Sequence, residues 1–391
     1  MVGEAMDLLA HAGVPLEDQM LTWREMAGKP ISKLDDDAFT RVRVILMNAL
    51  ELDAMRLQDF GARSEAELRL SLACVRRIEQ HQATAVSWML SADHSALEAT
   101  VACEQVAVEL TAAIAQHEPD PYLAQVYRFG LLENLDRLYR YAALLDRLEG
   151  KDANNILQGY TDIVPGRPTA ETHRAPRDDL RRASAPGARL VSRLHMILVA
   201  AAAHRARDYY MTVGPAFADP VARELYAEIA SCGEQHATQY GALLAPGQSF
   251  LESWLLHEAA EVYAYLSCAR SESNPRIRAI WERFCDYELG QLQHVGGLMR
   301  RHEHRDPAEV LAHGLPAPLE FRSQRDFVRE VLGEEVHLRA RECGFIDHGA
   351  ESAESLDYRR RVNAHGSPST QVALSYHWTA GTELNRPRPP S

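Results

Sequence analysis

Lysine is almost missing from this 391-residue chain: Lys29, Lys33 and Lys151 stand against 39 arginines. We read that skew as high-GC codon usage rather than function. Acidic residues still prevail, and the formal net charge is −13. A chain this acidic lacks the basic face that nucleic acid or an anionic membrane requires, so neither is expected as a partner. Cys-x-x-Cys pairs are absent; the six cysteines (Cys74, Cys103, Cys232, Cys268, Cys285 and Cys343) are scattered, and four of them sit as small apolar residues in helical segments. That usage fits a reduced compartment better than a disulfide scaffold. No basic stretch followed by an apolar run opens the chain, so no signal peptide is expected. The longest aliphatic run, "MILVAAAA" at 196–203, is far too short to span a bilayer. The expected setting is therefore cytoplasmic. Dinucleotide, P-loop, zinc-protease and nucleophile-elbow motifs are all lacking, which leaves nucleophilic hydrolysis without support. Strand-like alternation is nearly absent too.

What is present is helical periodicity on an ordinary globular composition, 46% hydrophobic and 25% charged. Apolar residues recur at three- and four-residue spacing through 37–60, 65–90, 95–117, 121–149, 188–212, 220–244, 249–271 and 275–303. Proline and glycine mark the joints, as in "EPDPY" (118–122) and "GPAFADP" (214–220). These eight segments are two copies of four. Residues 95–150 align without a gap onto 249–304 at an offset of 154, with thirteen of 56 pairs identical, among them Glu98/Glu252, Glu104/Glu258 and Pro121/Pro275. Chance would give roughly four. Upstream, "EQH" (79–81) pairs with "EQH" (234–236), and "ILMNALELDA" (45–54) with "ILVAAAAHRA" (197–206). Each copy thus reads as helices A, B, C and D with short joints, the layout of a four-helix bundle.

The expected organisation is an N-terminal segment (1–35), a first bundle (36–150), a connecting segment (151–187), a second bundle (188–305) and a C-terminal extension (306–391). The connector is expected to be ordered, with Tyr160, Ile163 and Val164 docking on a bundle. The extension is expected to hold one helix, 324–341, and an aromatic stretch that packs on the body.

This duplicated all-α pattern resembles the ferritin-like (rubrerythrin-like) superfamily, over roughly 36–305. The resemblance implies a dinuclear iron or manganese site, with a carboxylate from each of helices A and C and a Glu-x-x-His from each of B and D. In the first copy, helices A and C offer Glu51 and Glu104, and helix B keeps His81 but has Ile78 for its glutamate. Helix D has Arg137 and Arg140 at the ligand positions, which predicts a buried Arg137–Glu104 or Arg137–Glu51 pair and a structural bundle. In the second copy, Ala203, Gly233 and Gln291 replace three of four carboxylates, while His236, Glu258 and His294 are kept.

Two histidines and a carboxylate make the ligand set of a mononuclear iron site. The expected metal ligands are therefore His236, Glu258 and His294, holding iron, with manganese as second choice. Glu261, one turn beyond Glu258, is expected as a further ligand or a proton-transfer group, and Tyr287, seven residues before His294, is expected to line the site or hydrogen-bond a ligand. His257 is placed to hydrogen-bond Glu261, and His204 to stand in for the lost helix A ligand. Glu288 falls on another face of helix D and is expected in solvent. The expected function is a metal-dependent oxidoreductase acting on a small molecule, with a homodimer left open. A metal-free His/Glu pocket and a non-catalytic scaffold are the alternatives.

Overall fold

In a computed structural model, residues 6–33, 35–90, 92–180, 188–244, 247–311, 314–341, 344–347 and 350–379 are described. The chain is helical, as expected. Its eight long helices are α1 (Ala38–Ser64), α2 (Arg69–Ser87), α3 (Ala96–His117), α4 (Pro121–Glu149), α5 (Leu190–Val213), α6 (Pro220–Gly241), α7 (Phe250–Ser271) and α8 (Pro275–His302). Their starts follow from local chemistry. Asp37, Ser95, Asp120, Asp219, Ser249 and Asn274 each accept a hydrogen bond from a backbone N–H of the first turn. Proline occupies the first position of α4, α6 and α8, where no amide partner is lost. Gly150, with φ 62°, ends α4 in the left-handed conformation. Among the described residues no helix is long and apolar enough to cross a membrane.

The helices do not group by copy. The pairs α1–α2, α3–α4, α5–α6 and α7–α8 each pack as hairpins, but α1–α2 joins α7–α8, and α5–α6 joins α3–α4. Side-chain contacts among the described residues thus join the first pair of each copy to the second pair of the other. Matched anchors hold the exchange. Glu272, at the end of α7, accepts from Thr40 Oγ1 at 2.8 Å and Arg43 Nε at 2.9 Å, both on α1. Glu118, at the end of α3, accepts from Ser192 Oγ at 2.5 Å and pairs with His195 Nδ1 at 2.7 Å, both on α5. Glu118 and Glu272 are equivalent residues of the two copies, and all six side chains are buried. The inner helices α1, α3, α5 and α7 also pack on one another, so one apolar core runs through both groups.

The connector is ordered over 151–180, in three single helical turns, with Ile163 buried and Tyr160 and Val164 packed against the core. The C-terminal extension differs from expectation. Its helix α9 stops at Glu335 (Arg325–Glu335), and the chain then pairs in an antiparallel hairpin, β1 (Leu338–Arg341) with β2 (Gly344–Asp347). Two further helices follow, α10 (Ala353–Val362) and α11 (Pro368–Ala373). The aromatic stretch packs as expected: the Tyr139 hydroxyl donates to the Tyr376 carbonyl at 2.7 Å, and the Trp378 indole donates to Asp152 at 3.1 Å. Residues beyond 379 lie outside the described part.

Candidate metal centre

The interior of the α1–α2–α7–α8 group holds five glutamates: Glu51 on α1, Glu79 on α2, Glu258 and Glu261 on α7, and Glu288 on α8. All five side chains are fully shielded from solvent. One carboxylate oxygen from each of Glu79, Glu258, Glu261 and Glu288 lies within 4.8 Å of the others, a group that could hold a metal ion. Glu51 stands beside Glu79.

Each carboxylate has one oxygen held and one free. Glu51 Oε1 accepts from the Tyr265 hydroxyl. Glu79 Oε1 accepts from Gln58 at 3.2 Å, Glu258 Oε1 from the Trp254 indole at 2.5 Å, and Glu288 Oε1 from Gln82 at 2.5 Å. Glu261 Oε2 meets His257 Nδ1 at 3.2 Å, the hydrogen bond expected from their spacing. The other oxygens, Glu51 Oε2, Glu79 Oε2, Glu258 Oε2, Glu261 Oε1 and Glu288 Oε2, make no hydrogen bond among the described residues. Gln291 repeats the pattern: its amide nitrogen donates to Gln82 at 3.2 Å and its oxygen is free. Carboxylates fixed through one oxygen, with the second bare and buried, are the arrangement that surrounds metal ions in proteins.

The charge is poorly compensated. Burial, reinforced by Glu79 and Glu261, pushes Glu51, Glu258 and Glu288 well above the usual carboxylate range. Burial and then Glu261 push Glu79 up to about 8. The cation in contact is His257, raised well above the usual imidazole range because Glu261 and Asp53 outweigh its desolvation. Asp53 in turn takes His204 Nδ1 at 2.9 Å, so His204 supports the rim of the centre and is not the stand-in ligand expected on helix A.

Of the expected site residues, Glu258 and Glu261 are in this cluster, and the rest of the set is not assembled around them. His236 belongs to the other four-helix group, where its Nε2 meets Glu133 Oε2 at 2.5 Å. The physical reason is the exchange of helix pairs, which puts α6 against α4 instead of α7 and α8. His294 is half-buried on α8, with Nε2 unpartnered, and burial and then Arg301 lower its pKa. It lies six residues from Glu288 and so faces another way. The Tyr287 hydroxyl is also turned away, accepting from Arg283 at 2.8 and 3.0 Å. Glu288, expected in solvent, is fully buried in the cluster. Gly290 does not open a cavity: a Cβ there would fall 1.8 Å from the Val14 carbonyl, so the glycine admits the N-terminal segment.

The α3–α4–α5–α6 group replaces acids with ion pairs. Arg137 Nε lies 3.5 Å from Glu104, the first of the two pairings expected from sequence. The Tyr210 hydroxyl donates to the same carboxylate at 2.5 Å. Arg174, from the connector, donates to Glu133 at 2.7 Å and to Asp179 at 2.6 Å. Burial would raise Glu133, but Arg174 and His236 hold it well below its usual range. Burial and then Arg137 lower His236 to about 4. A neutral imidazole donating to an ionised carboxylate follows.

Sequence reasoning missed Glu79, Gln82, Glu288 and Gln291. A signal was there: Glu79-x-x-Gln82 and Glu288-x-x-Gln291 share the i, i+3 spacing of the expected motif, with glutamine in place of histidine. Against protein-family models, curated proteins and solved structures, the chain shows no match.

Proposed function

We propose that the five-glutamate centre binds a pair of divalent cations, manganese or iron, and that the chain is a ferritin-like, metal-dependent oxidoreductase of a small molecule. The observation that carries the metal reading is the set of five buried carboxylates, from four helices, each with one oxygen fixed by a neighbour and one bare. Five ionised carboxylates beside one imidazolium would leave a large uncompensated negative charge in a dry interior, which is strongly unfavourable. Two divalent cations would neutralise it. Glu51, Glu79, Glu258, Glu261 and Glu288 are the ligands in this reading, with the Gln291 oxygen as a further donor. An all-oxygen donor set suits hard ions such as manganese, and gives zinc or copper no imidazole or thiolate.

The resemblance to ferritin-like proteins supports the same reading: one carboxylate from the first helix, one or two from the third, and a Glu-x-x-Gln from each of the others occupy the places of that superfamily's pattern. A redox-active ion bound there would supply one-electron chemistry in an enclosed core. Gln58, Gln82, Trp254, His257 and Tyr265 orient the ligands, and His257 also holds a proton at Glu261.

Elemental analysis of the purified protein tests this. We expect close to two manganese or iron ions per chain, falling at least tenfold in a Glu79→Gln, Glu258→Gln double variant and unchanged in His236→Gln. A folded wild-type protein that takes up neither ion when dialysed against excess Mn(II) or Fe(II) would sink the reading. Dioxygen consumption by the Fe(II)-loaded protein, absent from the double variant, tests the oxidoreductase part.

A further inference from the structure

The α3–α4–α5–α6 group has a cavity at the place that corresponds to the metal centre. Ala203, Ala107, Asn134 and Arg137 line it, and in the aligned copies they match Glu51, Glu261, Glu288 and Gln291. Four ligand positions have thus become two alanines, an amide and an arginine. The space opened by the alanines has not been refilled: the cavity measures about 20 Å³. One water needs about 10–15 Å³ of probe-filled space, so a space of this size suits an occupant of very few heavy atoms.

The lining combines apolar side chains, such as Leu110 and Val199, with polar ones. Arg137 and Tyr240 line the cavity, and both are almost completely buried. Among the described residues, Arg137 Nη1 and the Tyr240 hydroxyl make no hydrogen bond. The rest of the guanidinium is fixed: Nη2 donates to Asn134, and Nε lies 3.5 Å from Glu104. Asn134 is in turn held by the Ala107 carbonyl at 3.1 Å. Gly130 makes room for the Tyr240 hydroxyl, since a Cβ there would lie 2.2 Å from it. Free, buried N–H and O–H groups beside an arginine are costly unless an acceptor meets them.

We propose that this cavity is a binding site for a small planar oxyanion of the short-carboxylate class, formate or acetate in size. Its oxygens accept from Arg137 and Tyr240, and its carbon end faces the alanines. A guanidinium matches a carboxylate in shape as well as charge. Glu104 shares the charge of Arg137, so affinity is modest, with a Kd of about 1 mM, as a ligand of three or four heavy atoms permits. The site rests on different residues from the metal centre and stands or falls separately.

Titration of the full-length protein with ¹³C-formate and ¹³C-acetate, followed by NMR, tests it. Wild type is expected to give saturable binding. Tyr240→Phe should weaken it about tenfold, and Ala203→Leu, which fills the cavity and keeps every charge, should weaken it at least thirtyfold. Metal content and circular dichroism of both variants should match wild type, which separates loss of the site from loss of fold. An anion bound instead to metal at the five-glutamate centre would be indifferent to Ala203→Leu. Saturable binding left unchanged by both variants, or none to folded wild type at 50 mM of either anion, overturns the proposal.

Discussion

At the scale of single residues, the two interiors handle buried charge in opposite ways. In the acidic centre one neighbour fixes each carboxylate and leaves the other oxygen bare. Tyr265, whose hydroxyl donates to Glu51, is such a neighbour and is itself fully buried. Removing an outer partner of a metal ligand typically costs 10–100-fold in affinity. Tyr265→Phe keeps the ring and its packing on Trp281 and Phe284. It should weaken Mn(II) binding by about that factor in a competition titration, and unchanged affinity would count against the metal reading. In the other interior, His236 is neutral and donates to Glu133. Its folded pKa, about 4, lies below its usual value of 6.5, so its contribution to stability is fully present above pH 6.5 and is lost as pH falls toward 4. The span corresponds to about 3 kcal/mol. Wild type should therefore lose roughly that much relative to His236→Gln between pH 7 and 4, measured by urea unfolding of both. Parallel pH profiles would refute the assignment.

At the scale of elements, buried anchors at the helix ends tie the associated pairs together. Glu272 is nearly fully buried and holds Thr40 and Arg43 across the boundary between copies. Breaking a buried pair by removing one charge costs about 3–5 kcal/mol, because the other charge is stranded. Glu272→Gln should lose that much in denaturant unfolding. Asp357→Asn, which cuts exposed pairs to Arg360 and Arg361, should lose under about 1 kcal/mol. Equal losses would show that the anchor is no more than a surface contact. The same exchange explains what the sequence could reveal. Helix positions, caps and the twofold repeat were legible because periodicity and Asp/Ser/Asn–Pro starts are local signals. The centre was not, because its residues come half from each copy. Judged copy by copy, Ile78, Arg137, Ala203 and Gly233 looked like losses spread over two failing sites. In space three of them, Arg137, Ala203 and Gly233, line one cavity, and the acids collect in the other interior. The histidines His81 and His236 also set a misleading frame, since the matched acid–amide pair on α2 is Glu79 and Gln82, one residue further on.

At the scale of the whole molecule, the duplication is a division of labour that neither half can perform alone. Residues 6–180 contribute α1–α2 to one group and α3–α4 to the other, and residues 188–379 contribute the complementary pairs. Each half by itself would expose the apolar faces of two hairpins, or have to close them on each other in a pairing the intact chain does not use. That closure would put Glu51 and Glu79 opposite Arg137 and Asn134, and Ala203 and Gly233 opposite Glu258 and Glu288. One half would lose its free acids and the other would bury acids with fewer partners. A chain divided within 181–187 should therefore give two fragments that do not unfold cooperatively when separate. Mixed at equal concentration they should form a 1:1 complex with native helicity and restored manganese binding, as read by circular dichroism, sedimentation and elemental analysis. Because both groups need both fragments, the midpoint of unfolding should rise with concentration. Two monomeric fragments, each unfolding cooperatively with a concentration-independent midpoint, would show instead that each copy closes on itself, and that the exchange of helix pairs does not govern the fold.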